Sequence, residues 1–188
     1  SADPWRAWVG FLNIVGGVGL VTFSWRIAMA AGVCGQAPAA AERKDVLLGL
    51  ATALLTGAVL LGAWLGATYA APACPSLPFC DAARWTLADG LNALDPLRRV
   101  QAPALPGDAG GVTLHLLHLS FSLLSLLVLC CFAVPSSPPA SQLATGLLVG
   151  VMLLGMAAVG SGFDLWLVVG HGAAAALLLA AMATLLRR

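Results

Sequence analysis

This chain has three histidines whose type and position suit metal binding or proton transfer: His115, His118 and His171. All three lie inside long apolar segments, where ionisable or metal-ligating side chains are costly and are therefore candidates for function. Imidazole is an axial ligand of haem iron, and one iron can take two of them. A second interpretation is that these histidines lie at helix interfaces and bond to neighbouring carbonyls or hydroxyls.

The composition indicates what surrounds the histidines. Of the 188 residues, 60% are hydrophobic and 9% are charged, and the mean hydropathy is +0.94. Soluble domains carry about 25% charged residues, so most of this apolar surface suits lipid. The net charge of +1 and the scattered basic residues argue against nucleic-acid binding. The sequence therefore predicts an all-α integral membrane protein whose first partner is the lipid bilayer.

Five segments are long and apolar enough to cross a bilayer, which needs about 20 residues. They are residues 8–33, 46–69, 112–134, 143–160 and 165–186. Basic residues favour the cytoplasmic side; Arg43 and Lys44 precede the second span, and Arg187 and Arg188 follow the fifth. We therefore expect a multi-pass protein of a bacterial-type inner (plasma) membrane. Its loop 71–111 would lie on the outer, periplasmic side and its C-terminus in the cytoplasm.

This topology brings two histidines to the same depth. The third span enters from the outer side near residue 112, which puts His118 about six residues, or ~9 Å, below the surface. The fifth span enters near residue 164, which puts His171 about seven residues, or ~10 Å, deep. Matching depth favours a metal or a bis-histidine low-spin haem between these two spans. His115 lies one turn above His118 and is an alternative ligand, a partner for a haem propionate, or a proton carrier.

A short cysteine loop follows the second span. Cys74 and Cys80 enclose the sequence PSLPF, whose prolines stop the preceding helix. If both thiols are oxidised, the loop is closed and faces an oxidising compartment. Cys34, Cys130 and Cys131 lie near the opposite ends of their spans and are interpreted as small hydrophobic residues. The sequence has no C-x-x-C-H motif, so covalently attached haem is not expected.

Together these motifs resemble those of haem A synthases. Residues 62–68 (GAWLGAT) and 73–80 (ACPSLPFC) are similar to the family's pattern GAWVRATGAGLxCPDWPLC at the first outer loop. The segment 115–118 (HLLH) resembles the family's first haem-ligating helix, and 165–171 (LWLVVGH) resembles its second. The likeness covers about residues 46–188, one four-helix half of a family usually built from two halves.

The resemblance implies a fold, ligands and a reaction. Residues 46–188 would form a four-helix bundle, and residues 1–45 an additional N-terminal transmembrane helix and a cytoplasmic linker. Each half of the family binds a haem between two histidines, which here are His118 and His171, and the implied disulfide joins Cys74 and Cys80. The family oxidises the C8 methyl of haem O to the formyl group of haem A, the cofactor of cytochrome oxidase.

The chain departs from the family's pattern at three positions. His115 stands where the catalytic half has a glutamate, Leu119 where an arginine follows the histidine, and Gly66 where another arginine is expected. A histidine in place of the glutamate is closer to the half of the family that holds haem b.

Two functions follow, one enzymatic and one not. The first is a haem A synthase-like protein that acts as a homo-oligomer, with haem O and haem A as substrate and product. The second is a non-catalytic haem b subunit for electron transfer or structure in a larger respiratory complex. Haem b is the expected cofactor, and a haem-free scaffold is a third interpretation.

Overall fold

A computed structural model describes residues 4–31, 42–76, 80, 86, 88–89, 92, 95, 103–136 and 139–186. Within these ranges the chain is all-helical and has no strand. Its helices are α1 (Pro4–Ala30), α2 (Glu42–Ala67), α3 (Ala109–Ser136), α4 (Pro139–Gly160) and α5 (Leu165–Leu185). All five are long and apolar enough to cross a membrane, which confirms the predicted multi-pass membrane protein.

The first four helices begin three or four residues before the predicted spans. Helix α3 begins at Ala109 because the Asp108 carboxylate accepts a hydrogen bond from the Gly111 backbone N–H at 2.8 Å. Helix α3 continues to Ser136 and α4 begins at Pro139, since proline suits the first position of a helix, where no N–H is needed. Cys34 and the terminal arginines 187 and 188 lie outside the described residues.

Helices α2 to α5 form a ring, and α1 lies outside it. Around the ring α2 packs against α3, α3 against α4, α4 against α5, and α5 against α2, whereas α1 contacts α2 and α5. The main hydrophobic core fills the half of the bundle away from the 71–111 loop. Its buried residues include Leu48, Leu55, Leu129, Leu148, Leu178 and Met182.

Two hydrogen bonds fix the register of α2 against α3. The buried Ser125 hydroxyl donates to the Ala51 carbonyl at 2.9 Å, and Nδ1 of His118 lies 2.8 Å from the Ala58 carbonyl oxygen. The two carbonyls are seven residues apart, as are the two side chains, which corresponds to about two turns of each antiparallel helix. The register that aligns these helices therefore also fixes the height of His118.

A compact cap closes the bundle at the end of α2. A 3₁₀ turn, Ala71–Ala73, leads into a disulfide between Cys74 and Cys80, and both cysteines are buried. The cap lies directly on the start of α3, because a Cβ at Gly111 would be 2.5 Å from Ala73 Cβ. The structure thus contains the disulfide that the resemblance implied.

Candidate functional site

The structure brings His118 on α3 together with His171 on α5. Their ring centroids are 6.1 Å apart, and the ring planes are inclined by 80°. Helices α3 and α5 occupy diagonal positions in the ring of four helices, so the two imidazoles meet in the bundle interior. Helix α5 is placed by Asp164, whose carboxylate caps it by accepting a hydrogen bond from the Trp166 backbone N–H at 2.9 Å.

Each imidazole is tied to a neighbouring helix through the same ring nitrogen. Nδ1 of His118 lies 2.8 Å from the Ala58 carbonyl oxygen on α2, and Nδ1 of His171 lies 2.9 Å from the Val151 carbonyl oxygen on α4. Because a carbonyl oxygen only accepts hydrogen bonds, each Nδ1 must carry the proton. In a neutral imidazole with this tautomer, Nε2 has the lone pair and is the nitrogen available to a metal.

The spacing of the two rings fits one iron between them. An iron–imidazole bond is ~2 Å and the ring centre lies ~1 Å behind the nitrogen, so two axial imidazoles need centroids about 6 Å apart. The observed 6.1 Å agrees. A hydrogen bond from the second ring nitrogen to a carbonyl is also the usual outer-shell partner of a metal-ligating histidine.

Two further arguments concern which ligand His118 and His171 could bind. An interface role explains each carbonyl bond separately, but it does not explain why the two rings also approach each other. Among the described residues no group of three or more His, Cys, Asp or Glu side chains could hold a metal ion. The donor set therefore fits haem, whose macrocycle supplies the remaining ligands, better than a bare ion.

His115 lies one helix turn before His118 on α3. It is 7% exposed, and its buried Nδ1 has no hydrogen-bond partner in the described part of the chain. A buried polar atom without a partner costs free energy, so a polar group reaching this position would be stabilising.

Sequence reasoning missed two glycines that face the imidazoles. A Cβ at Gly62 on α2 would lie 3.0 Å from Cε1 of His118, and a Cβ at Gly155 on α4 would lie 3.0 Å from Cε1 of His171. Gly170 and Gly172, which flank His171 in the sequence, have nothing within 4 Å of their Cβ positions. The available signal was a glycine in the middle of a helix, where alanine is more favourable.

Helix α1 covers the end of the GAWLGAT segment. The rings of Trp8 and Phe11 meet the Trp64 ring edge-on, with centroids 5.3 and 5.4 Å away. A Cβ at Gly66 would lie 3.8 Å from Cδ1 of Ile14. The position where the resemblance expects an arginine therefore faces α1 in this protein.

Comparison with known proteins identifies the family. A family model described as cytochrome oxidase assembly protein matches residues 12–183, beginning inside α1. The heme A synthase of Shewanella oneidensis is 32% identical over 143 residues, which cover 70% of this chain and 42% of that relative. The chain thus spans less than half the length of this relative, and no solved structure matches. The predicted resemblance to haem A synthases is confirmed, and the chain belongs to the cytochrome oxidase assembly protein family.

Proposed function

We propose that this chain binds one low-spin haem through His118 and His171 and has a haem A synthase-like role in cytochrome oxidase assembly. The observation that carries the proposal is the pair of neighbouring imidazoles, with ring centroids 6.1 Å apart and each Nδ1 held by a carbonyl of a neighbouring helix. When bound, such a haem supplies one-electron redox chemistry. Residues 46–188 form the haem-binding bundle, and residues 1–45 carry the additional helix and linker.

The protein's own contribution is to orient the ligands and to exclude water. The Ala58 and Val151 carbonyls select the tautomer that presents Nε2 and prevent the rings from turning freely. The hydrophobic core closes the bundle on one side of the histidines, and the disulfide cap closes the other. Haem in this position lies in a surrounding of low polarity, which is one of the means by which proteins adjust its redox potential.

The orientation in the membrane follows from charge and cysteine chemistry. The basic pairs at 43–44 and 187–188 favour the cytoplasm. The disulfide between Cys74 and Cys80 favours an oxidising compartment for the opposite face. The proposed arrangement therefore places loop 71–111 on the outer side and the C-terminus in the cytoplasm.

Two observations favour a second function, a non-catalytic haem b subunit of a larger respiratory complex. His115 occupies the position of the glutamate that the resemblance expects in a catalytic half, and it is buried. Gly66 occupies the position of an expected arginine and faces α1. The chain therefore lacks charged groups that the resemblance associates with the substrate haem. The family match and the similarity to a heme A synthase support the first function.

The haem content of the purified chain separates these functions. The full chain is extracted in mild detergent and its haem is analysed as the pyridine haemochromogen. We expect about one haem per chain. Haem O or haem A in the extract, and conversion of added haem O under reducing conditions, would support the synthase. Haem b alone without conversion would support the subunit, and a chain without haem would contradict both.

A further inference from the structure

We infer that Gly62 and Gly155 are positioning residues that set how the two imidazoles are turned about the axis joining them. Each belongs to what we call a ring seat, a helix carbonyl together with the glycine four residues later. The first seat is Ala58 with Gly62 on α2, and the second is Val151 with Gly155 on α4. The inference rests on the proposed haem binding and concerns the orientation of the ligands, which that proposal leaves open.

The two seats have nearly the same dimensions. In the first, the carbonyl oxygen lies 2.8 Å from Nδ1 of His118, and a Cβ at Gly62 would lie 3.0 Å from Cε1 and 3.2 Å from Nδ1. In the second, the carbonyl oxygen lies 2.9 Å from Nδ1 of His171, and a Cβ at Gly155 would lie 3.0 Å from Cε1 and 3.2 Å from Nδ1. The spacing of carbonyl and glycine is four residues in both.

Helix geometry explains why the glycine follows the carbonyl by four residues. The carbonyl of residue i already accepts the N–H of residue i+4, so these two groups lie side by side on the helix surface. Every Cβ leans toward the helix N-terminus, and a side chain at i+4 therefore overhangs the carbonyl at i. Glycine removes that overhang and lets an imidazole from another helix reach the second lone pair of the oxygen.

The repetition of the seat argues against accidental close packing. The histidine helices α3 and α5 each lie against the helix that carries the seat, α2 and α4 respectively. Glycine in α4 does not by itself produce such a contact, because Gly146 and Gly150 have nothing within 4 Å of their Cβ positions. The two ring seats have nearly the same dimensions and hold two neighbouring rings, so together they orient both proposed ligands.

The orientation that the seats impose has a spectroscopic consequence. The ring planes are inclined by 80°. In a ferric haem with two imidazoles, nearly perpendicular planes make the axial ligand field almost symmetrical, which gives a highly anisotropic low-spin EPR signal. Parallel planes give a rhombic signal instead. The haem-loaded protein should therefore show the highly anisotropic signal.

The test compares Gly62→Ala and Gly155→Ala with matched changes in the same helices. Gly49→Ala on α2 meets only Cδ2 of Leu186 at 3.8 Å, and Gly150→Ala on α4 meets nothing within 4 Å. All four full-length variants are purified with haem, and their EPR signals and midpoint potentials are measured. The seat variants should keep low-spin haem, because both ligands remain, but their EPR signal and potential should shift. The control variants should match the wild type.

Three results separate this inference from the proposed function. Unchanged EPR signals and potentials in both seat variants would overturn the inference while leaving bis-histidine binding intact. A rhombic signal from the wild type would also overturn it, and this measurement does not depend on whether any variant folds. A wild-type protein without low-spin haem would instead overturn the proposed function on which the inference rests.

Discussion

Replacing Gly111 with alanine should destabilise the protein because it forces the disulfide cap away from α3. The new Cβ would lie 2.5 Å from Ala73 Cβ and 2.8 Å from the Ala70 carbonyl oxygen. Neither atom is the end of a flexible side chain. The Gly107 backbone N–H also donates to the Ala73 carbonyl at 2.9 Å, which holds the turn in place. The backbone of the cap or of α3 must therefore move to make room for the alanine methyl group.

The expected cost follows from two opposing effects. Overpacking a well-packed interior costs ~1–3 kcal/mol, and a contact with backbone belongs at the upper end of that range. Alanine is favoured over glycine in a helix by at most ~1 kcal/mol. The net loss in the free energy of unfolding should be about 2 kcal/mol. Gly57→Ala should cost less, about 1 kcal/mol, because its Cβ would press on the edge of the Phe121 ring, which can shift.

The assay is an SDS titration of the folded protein in mixed micelles, which yields the free energy of unfolding. Gly146→Ala is the matched control, because it adds the same methyl group to a helix where nothing lies within 4 Å. The expected order of stability is Gly146→Ala at or above the wild type, then Gly57→Ala, then Gly111→Ala. Equal stability of Gly111→Ala and Gly146→Ala would refute the close approach of the cap to α3.

Further predictions concern other contacts and use the same titration. Ser125→Ala loses the bond to the Ala51 carbonyl and should lower the free energy of unfolding by ~0.6 kcal/mol, whereas Ser120→Ala, at an exposed position, should have no effect. The double variant Cys74→Ser/Cys80→Ser should lose ~2 kcal/mol for so short a loop, and reductant should bring the wild type to the same value. If reductant instead leaves the wild type above the double variant, the disulfide is not the cause.

The fold could be predicted because hydropathy alone determines which segments enter the membrane. Five spans and an all-helical chain followed from composition and segment length, and the part of the chain that the structure describes has both. The helix bounds were less predictable, since the predicted fourth span begins only at residue 143. Pro139 instead begins α4, because proline disrupts a helix interior but suits its first turn.

The candidate site could be predicted only in part. Counting residues inward from the membrane surface placed His118 and His171 at one depth, and the structure brings their rings to 6.1 Å; their role as ligands stays a prediction. The carbonyls of Ala58 and Val151 carry no sequence signal, since every residue has one. Gly62 matters because it lies against His118 on another helix. This contact forms only when the helices pack, so it could not be predicted from the sequence around Gly62.

The most direct test of the central claim is a reduced-minus-oxidised absorption spectrum of the purified full chain beside His118→Ala, His171→Ala and His115→Ala. The account predicts the sharp bands of a low-spin haem in the wild type, their loss in both His118→Ala and His171→Ala, and a low-spin spectrum in His115→Ala. Low-spin bands that persist in His118→Ala or in His171→Ala would contradict the proposed ligands.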